Sequence, residues 1–332
     1  MVGKEPKVSI GLPVFNGENY LEKAIDSILS QTYRDFELII CDNASTDRTQ
    51  EICRRYAAAD DRVRYYRNPR NLGASPNYNR TFELSSGEYF KWMAHDDIIA
   101  PTYLERCVAA LDREPDAVLA QPLVGMIDAK GDVLSIHNGL QRAASPQVSE
   151  RFAHLIKLPR DNWEVFGLIR REVLAQTALH APYSWSDVAL TVEVALLGRF
   201  TLVPEPLFFN RDHDERFSRT ALFDRAKCWQ WWTNSEQAAS FVQLCPTWQL
   251  HTDHIRIIRK HVPSLWGRSR LYLVLLGQVC QRFTLSRLII EPITAVAPGV
   301  LTAGRWVKRL LRSRKPSGFQ AEEAGARPEV RK

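Results

Sequence analysis

Residues 8–47 read VSIGLPVFNGENYLEKAIDSILSQTYRDFELIICDNASTD, and this stretch decides the fold class. Val8–Phe15 is an apolar run rich in strand-forming residues. Asn19–Gln31 places its apolar residues at helical spacing, and Phe36–Asp42 is a second apolar run. A strand, a helix and a strand in this order predict two parallel strands joined by a right-handed crossover.

The same alternation continues to about residue 135 and predicts an α/β fold with a doubly wound, mostly parallel sheet. The next helix is expected from about Asp47 to Ala58, with Ser45 or Thr46 as its cap. The later elements are predicted as strands at Val63–Asn68, Tyr89–His95, Ala117–Ile127, Val133–Ile136, Phe166–Ile169 and Phe200–Phe209, and as helices at Ser75–Ser85, Pro101–Arg113 and Asp187–Leu197.

The 332-residue chain carries a net charge of +6, and the position of this charge limits the expected partners. Residues 301–332 hold nine Lys or Arg and three Asp or Glu, which leaves 35 of each sign in residues 1–300. A neutral body argues against a nucleic-acid-binding face. The six cysteines form no C-x-x-C pair, so we expect reduced and mostly buried thiols.

Three polar segments directly follow predicted strands: Pro13–Asn16, Asp42–Ser45 and His95–Asp97. Ligands of doubly wound sheets bind beyond the carboxyl ends of the strands, so these segments mark the expected site.

Asp96 and Asp97 are adjacent carboxylates after a buried strand, where they repel each other unless a cation compensates. Hard oxygen ligands suit Mg²⁺ or Mn²⁺, and phosphate oxygens usually complete the coordination. The alternative is a helix cap and a first-turn acid ahead of Pro101. Asp42 has two interpretations as well, because it either belongs to a helix-capping cluster or accepts from a base N–H or a ribose hydroxyl.

Several motifs recur in a fixed order over roughly residues 6–218: VSIGLPVFN at 8–16, SILSQT at 27–32, CDNASTD at 41–47, NPRNLG at 68–73, GEY at 87–89, HDD at 95–97, SD at 186–187 and RDH at 211–213. The ordered set resembles the family 2 inverting glycosyltransferases. This resemblance implies the GT-A fold, a nucleotide-diphosphate sugar donor, a divalent cation (Mg²⁺ or Mn²⁺) and inversion at the anomeric carbon.

The resemblance also assigns roles to individual residues. Phe15 and Asp42 would hold the base and ribose of the donor, and Asp96 would bind the cation together with His213. Asp187 would be the general base that takes the proton of the acceptor hydroxyl, although an ordinary N-cap is the alternative. The other residues expected to bind the donor are Pro13, Asn16, Asn71, His95, Asp97 and Arg211.

One position departs from the family pattern. Ala94 stands where the D-x-D element of the family has its first acid, in the run Met93-Ala-His-Asp-Asp97. A ribose or cation contact from the first position is therefore in doubt, and His95 is the candidate to replace it. Its alternative role is a structural hydrogen bond after a strand.

The C-terminal third is expected to differ from the catalytic domain at 1–220. We expect a helical extension at 221–315 and a disordered tail at 316–332. Thr302–Arg312 has Trp306 and apolar residues on one side and basic residues on the other, which fits an anionic membrane surface. On that interpretation the acceptor is a lipid-linked glycan, whereas a domain helix with a solvated basic face is the alternative.

The chain shows no apolar signal-peptide region before Val8 and no run of about 18 apolar residues. These features predict a cytoplasmic protein, located peripherally on the inner face of the membrane if the basic helix binds lipid.

Two rival functions are weighed against glycosyl transfer. A sugar-nucleotide pyrophosphorylase would have a Gly- and Arg-rich phosphate loop after the first strand, which Pro13–Asn16 lacks. A binding protein that retained the fold and lost the chemistry is favoured only by Ala94.

Overall fold

The computed structural model describes residues 5–157, 161–216, 225–235 and 244–296, in which a nine-stranded sheet forms the centre of the fold. The strands are β1 (Val8–Val14), β2 (Phe36–Asp42), β3 (Val63–Arg67), β4 (Tyr89–Trp92), β5 (Ile98–Ile99), β6 (Ala117–Ile127), β7 (Val133–His137), β8 (Leu168–Arg170) and β9 (Arg199–Arg211). The helices are α1 (Leu21–Leu29), α2 (Thr49–Ala59), α3 (Ala74–Glu83), α4 (Tyr103–Arg113), α5 (Val148–Leu155), α6 (Arg171–Leu174), α7 (Ser186–Leu197), α8 (Arg225–Thr233), α9 (Pro246–His261), α10 (Leu265–Val279) and α11 (Arg282–Val296). Short 3-10 helices lie at Gln141–Ala144 and Trp163–Phe166.

The first four strands form a parallel unit in the order β3-β2-β1-β4. All residues of β1 and β2 are buried, which explains why their sequences are almost continuously apolar. The register pairs Val14 with Asp42, and Asp42 with Arg67. The carboxyl ends of β1, β2 and β3 therefore lie together at one edge of the sheet.

The second half of the sheet is mixed, in the order β4-β8-β6-β9-β5, with β7 paired to β6. Its long parallel pair is β6 with β9, and parallel pairs account for most of the paired residues of the whole sheet. The predicted α/β, mostly parallel architecture is confirmed. The short strand β5 runs antiparallel to β9 with Ile98 opposite Phe209. This pairing brings Asp96 and Asp97, which precede β5, next to the end of β9.

The prediction that Ser45 or Thr46 caps the second helix is wrong. α2 begins at Thr49, and its N-cap residue, Arg48, makes no side-chain cap hydrogen bond. The Ser45 hydroxyl instead accepts from the backbone N–H of Asn16. The loop after β1 competes for the groups that would otherwise cap the helix.

Two hydrophobic clusters form the core of the described residues. The first lies between β1, β2 and the helices α1 and α4. The second contains Phe152 of α5 together with Leu250 and Leu271 of the C-terminal helices, so these helices share a core with the body. Five of the six cysteines are buried free thiols, and Cys280 is exposed.

The C-terminal region is helical in its described parts. No single described helix is long and apolar enough to cross a membrane, but α10 with the first part of α11 passes the same test as a pair bent by 76°. The predicted basic helix at Thr302–Arg312 and the tail at 316–332 lie outside the described residues. The domain boundary at residue 220 stays a prediction.

Candidate active site

The loops after β1 and β2 are held together by direct hydrogen bonds. The Asn16 N–H donates to the Ser45 hydroxyl at 2.9 Å, and the Thr46 N–H donates to Asn16 Oδ1 at 2.9 Å. The Gly17 N–H donates to the Thr49 hydroxyl at 2.9 Å. Asn16 has a φ of 50°, a left-handed conformation that asparagine tolerates better than most residues. The two predicted segments are thereby one structural unit.

Asp42 lies at the predicted strand end, but its side chain is fully buried. Its Oδ1 accepts from the Ser45 N–H at 2.8 Å, and its Oδ2 accepts from the Tyr65 hydroxyl at 2.8 Å. The Arg67 guanidinium lies 3.4 Å from Oδ2. Burial and the bond to Asp42 raise the pKa of the Tyr65 phenol. In this arrangement the carboxylate organises the loop, and its contact with a donor stays a prediction.

Asn71 belongs to an asparagine network behind the same edge. Asn43 donates to Asn71 Oδ1 at 2.8 Å, and the Asn43 Oδ1 accepts from Asn68 at 2.9 Å. Gly73, with a φ of 85°, meets the backbone of Thr233 so closely that an added Cβ would lie 2.5 Å from it. Helix α8 therefore packs directly on the segment that carries Asn71.

Asp97 is buried, and its carboxyl group accepts hydrogen bonds from the end of β9. Its Oδ1 accepts from the Arg211 N–H at 2.9 Å, and Asn210 Nδ2 lies 3.0 and 3.1 Å from its two oxygens. Burial, together with the charge of Asp96, raises the pKa of Asp97 to about 7. The carboxylate fixes the strand end on which Arg211 and His213 follow.

Asp96 contacts His213 directly, and their joint role in a cation site stays a prediction. Asp96 Oδ2 lies 2.9 Å from His213 Nε2, and the His213 ring centroid lies 4.9 Å from that of Tyr20. Burial acts to raise the pKa of Asp96. The His213 hydrogen bond and the nearby charges of His95 and His213 outweigh burial and lower this pKa. The surroundings therefore favour an ionised Asp96.

Arg211 is buried and braces the loops around Asp96. Its Nε donates to the Asp96 carbonyl at 2.8 Å, and its Nη1 donates to the Asp128 and Ala129 carbonyls at 3.0 and 3.2 Å. The guanidinium also lies 4.8 Å from the Tyr20 ring centroid. These contacts describe a positioning role, and the predicted contact of Arg211 with the donor stays a prediction.

The remaining predicted donor residues differ in their access to solvent. Phe15 is 43% exposed, whereas Pro13 is buried within β1 opposite Cys41. His95 is half-buried, and an added Cβ on Gly17 would come within 2.7 Å of its ring. The close approach that Gly17 permits brings the loop after β4 against the loop after β1.

Asp187 lies in the first turn of α7, as predicted, and is half-buried. Its Oδ2 accepts from Asn162 Nδ2 at 3.0 Å. Trp185, the N-cap residue, has a φ of 75° and provides no side-chain cap. Asn162 orients the carboxylate, and the chain enters α7 through an unusual turn at Trp185.

Tyr78 of α3 is a residue of this region that the motifs did not identify. Its carbonyl accepts from Trp92 Nε1 at 3.0 Å. Burial raises the pKa of its phenol, and the charges of Asp96, Asp97 and Asp187 raise it further. The charges of carboxylates from both predicted sites therefore affect the pKa of this one phenol. No sequence spacing distinguishes Tyr78 from an ordinary core aromatic residue.

An apolar cleft of about 690 Å³ opens beside the segment that leads into α7. Trp248, half-exposed, has its indole fixed by a 2.9 Å hydrogen bond to the Leu288 carbonyl. The lining also includes Pro182, Thr252 and Pro292.

The residues around Asp96 could supply two of the ligands of a divalent cation. No group of three or more His, Cys, Asp or Glu in the described part of the chain is placed to hold a metal ion. Asp96 and His213 supply one carboxylate and one imidazole. Mg²⁺ is commonly held by one or two protein carboxylates completed by substrate phosphates and water. The pair therefore fits a cation whose other ligands come from a diphosphate.

The sequence model described as "Glycosyl transferase family 2" matches residues 9–177, about half of the chain. The chain belongs to glycosyl transferase family 2. An uncharacterized glycosyltransferase of Rickettsia typhi is 38% identical over 109 residues, 32% of the family 2 chain and 33% of that relative. The putative glycosyltransferase EpsE of Bacillus subtilis is 39% identical over 109 residues, covering 32% and 39%. The alignments with these relatives thus span little more than a third of their length.

Solved structures share the fold of this family 2 protein. TarS 1–349 of S. aureus in complex with UDP-GlcNAc has a TM-score of 0.57 and 15% identity, over 87% of this chain and 81% of that one. The same protein in complex with UDP has a TM-score of 0.54 and 16% identity, over 96% and 94%. At such identities the likeness concerns the fold, which is the GT-A fold.

Proposed function

We propose that this family 2 protein is an inverting glycosyltransferase that moves a hexosyl group from a nucleotide-diphosphate donor to an acceptor hydroxyl. The observation that carries the proposal is the 2.9 Å contact between Asp96 and His213. The loops after β1 and β4 approach each other at Gly17 and His95, and Phe15 is exposed on the β1 loop. A carboxylate and an imidazole that can hold a cation, with an exposed ring on the neighbouring loop, suit a ligand with a diphosphate and a base.

The donor would lie along the loops after β1 and β2. Phe15 is the exposed ring available to stack on the base, and Asn16 holds its loop against Ser45. Asp42 would fix the loop after β2 through its hydrogen bond to Ser45, or contact the ribose after a local rearrangement. The UDP-GlcNAc bound by the S. aureus protein of the same fold supports a nucleotide sugar as the donor class.

Asp96 and His213 would hold Mg²⁺ or Mn²⁺, which supplies charge stabilisation for the departing nucleoside diphosphate. Asp97 and Arg211 would position this pair. Asp97 holds the backbone of Arg211, and Arg211 in turn holds the Asp96 carbonyl. Both ends of the cation site are therefore tied to the end of β9.

Asp187 would be the general base. Its carboxylate accepts the proton of the acceptor hydroxyl while that oxygen forms the new bond to the anomeric carbon. The old bond to the diphosphate oxygen breaks, and its electron pair leaves with the nucleoside diphosphate. The Asn162 amide hydrogen bond at 3.0 Å would orient the carboxylate for this step.

The acceptor would be a glycan or a lipid-linked glycan of the cell envelope. The apolar cleft beside the entry to α7 supports this class, because Trp248 offers a fixed ring to a sugar or a hydrocarbon chain. The basic helix predicted at Thr302–Arg312 would place such an enzyme peripherally on the inner membrane face.

A screen of nucleotide sugars with Mn²⁺ tests the proposal. We expect at least one UDP- or GDP-sugar to raise the melting temperature, and the same sugar to release its nucleoside diphosphate when acceptor glycans are added. Donor binding without release or transfer in any acceptor mixture would favour a binding protein that lost the chemistry. Binding of no nucleotide sugar would contradict both functions.

A further inference from the structure

The last two described helices expose apolar side chains to an unusual extent. Leu265 and Trp266 at the start of α10 are 77% and 74% exposed, and Leu273 is 69% exposed. Large apolar side chains are normally exposed singly on a soluble surface, and a contiguous group marks an interaction site. The eight exposed large apolar residues of these helices are Leu265, Trp266, Leu273, Leu276, Phe283, Leu285, Ile289 and Ile293.

These side chains follow helical spacing, so they form faces rather than isolated points. Leu285, Ile289 and Ile293 stand four residues apart on α11, and Leu273 and Leu276 stand three apart on α10. We name the eight residues together the apolar face. The opposite side of α10 is anchored, because Leu271 and Leu275 are buried in the second core cluster. The core of the protein therefore contacts the opposite side of α10, and the apolar face is the side turned away from the core.

The exposed charge beside the apolar face is positive. Residues 265–290 contain four Arg and no Asp or Glu, and one of the four, Arg287, pairs with Glu291 at 3.0 Å. Arg270 and Arg282 are exposed, and the Arg270 guanidinium lies 6.0 Å from the Trp266 ring centroid. Arginine and tryptophan beside exposed aliphatic residues are the composition of a helix that lies in the headgroup region of an anionic bilayer.

Charge also argues against the other occupants of this face. A second copy packed face to face would add the exposed Arg270 and Arg282 of one copy to those of the other. Residues 297–332, the part of the chain that follows α11, carry the same +6 as residues 301–332, so they would be repelled as well. An anionic lipid surface is attracted by the same charges.

We propose that α10 and α11 form a monotopic membrane-docking surface, with the apolar face buried among the acyl chains of an anionic bilayer. Neither α10 nor α11 alone is long and apolar enough to span a bilayer, which suits two segments that lie in the interface. Pro292 of α11 also lines the apolar cleft beside the entry to α7, but the proposal does not depend on the reaction.

Vesicle flotation of the full chain tests the docking surface. The probe is phosphatidylcholine vesicles with or without about a third phosphatidylglycerol. We expect the wild type to float with the anionic vesicles, and Leu273→Glu/Leu276→Glu to lose about tenfold or more of this binding. The matched control is Leu134→Glu/Ile136→Glu on β7, whose side chains are 59% and 55% exposed, and it should float like the wild type.

Three results would overturn the proposal. The first is equal flotation of wild type and the Leu273→Glu/Leu276→Glu variant at the same melting temperature. The second is flotation that this variant keeps and that deletion of residues 301–332 removes, which would assign the binding to the tail. The third is a wild type that stays with the soluble fraction and forms a dimer that the variant dissociates.

Discussion

The edge of the sheet and the last two helices differ in how far their side chains are buried and bonded. At the edge, Asp97 and Arg211 are each 1% exposed, and the hydrogen bonds described above engage both. On α10 and α11, large apolar side chains reach 77% exposure, and Arg270 and Arg282 are exposed. The difference teaches that the chain fixes its polar groups where chemistry is expected and leaves apolar groups unpartnered where contact with another phase is expected.

Asp187→Asn should produce the largest effect, because it removes the proposed base and leaves the edge intact. We expect turnover to fall by about a thousandfold or more with little change in donor affinity. Steady-state kinetics and donor calorimetry on the same preparation measure the two quantities. The control is Glu172→Gln, an exposed first-turn acid of α6. Near-normal turnover in Asp187→Asn would remove this residue from the role.

Two arginine substitutions, one at the edge of the sheet and one on α10, test whether the two regions differ in their contribution to stability. Arg211→Met leaves the carbonyls of Asp96, Asp128 and Ala129 without their donor, so it should lower the free energy of unfolding by about 3 kcal/mol.

Arg270→Met, on the exposed side of α10, should change that free energy by less than about 0.5 kcal/mol. Urea unfolding of both variants gives the two values. Equal losses would show that the two regions do not differ in the way described.

Lys91 gives a smaller test with a pH signature. It is fully buried in β4, where its Nζ donates to the Phe166 carbonyl, and burial lowers its pKa to about 7. Between pH 7 and its ordinary pKa of 10.5 the unfolded chain binds the proton that the folded chain releases, so stability rises with pH in this window.

Lys91→Met removes the free-energy cost of burying this amine. We expect the variant to be more stable than the wild type by about 1–3 kcal/mol below pH 7, and this advantage to shrink as pH approaches 10. Denaturant unfolding at pH 6.5, 8 and 9.5 follows the difference. A constant or growing advantage would contradict the assigned charge state of Lys91.

The centre of the parallel unit was predictable because β1 and β2 are buried on both faces. A strand such as Phe36–Asp42 must then be a continuous apolar run, and the polar residue that follows must lie at the sheet edge. The same logic correctly located Asp42 at the end of β2. Asp96, predicted to follow a strand that runs to His95, lies beyond the end of β4 at Trp92. This logic could not reveal that Asp42 is buried and accepts from the Tyr65 hydroxyl, since that contact depends on the pairing of β2 with β3.

Two other features depend on contacts distant in sequence. Asp97 meets Asn210 across 113 residues only because β5 pairs with β9. The sequence could not tell the buried from the exposed apolar positions of α10 and α11, because apolar helical spacing looks the same on a core helix and on one that leaves a face open. Leu271 and Leu276 illustrate this, since they lie five residues apart and are 2% and 57% exposed.

The central claim is that Asp96 and His213 hold a cation that binds the diphosphate of the donor. Isothermal titration of UDP and GDP into the wild type and Asp96→Ala, with Mn²⁺ or with EDTA, tests it directly. The account predicts that Mn²⁺ strengthens nucleotide binding to the wild type by about tenfold or more, and that Asp96→Ala loses this gain. An equal affinity of the wild type with Mn²⁺ and with EDTA would contradict it.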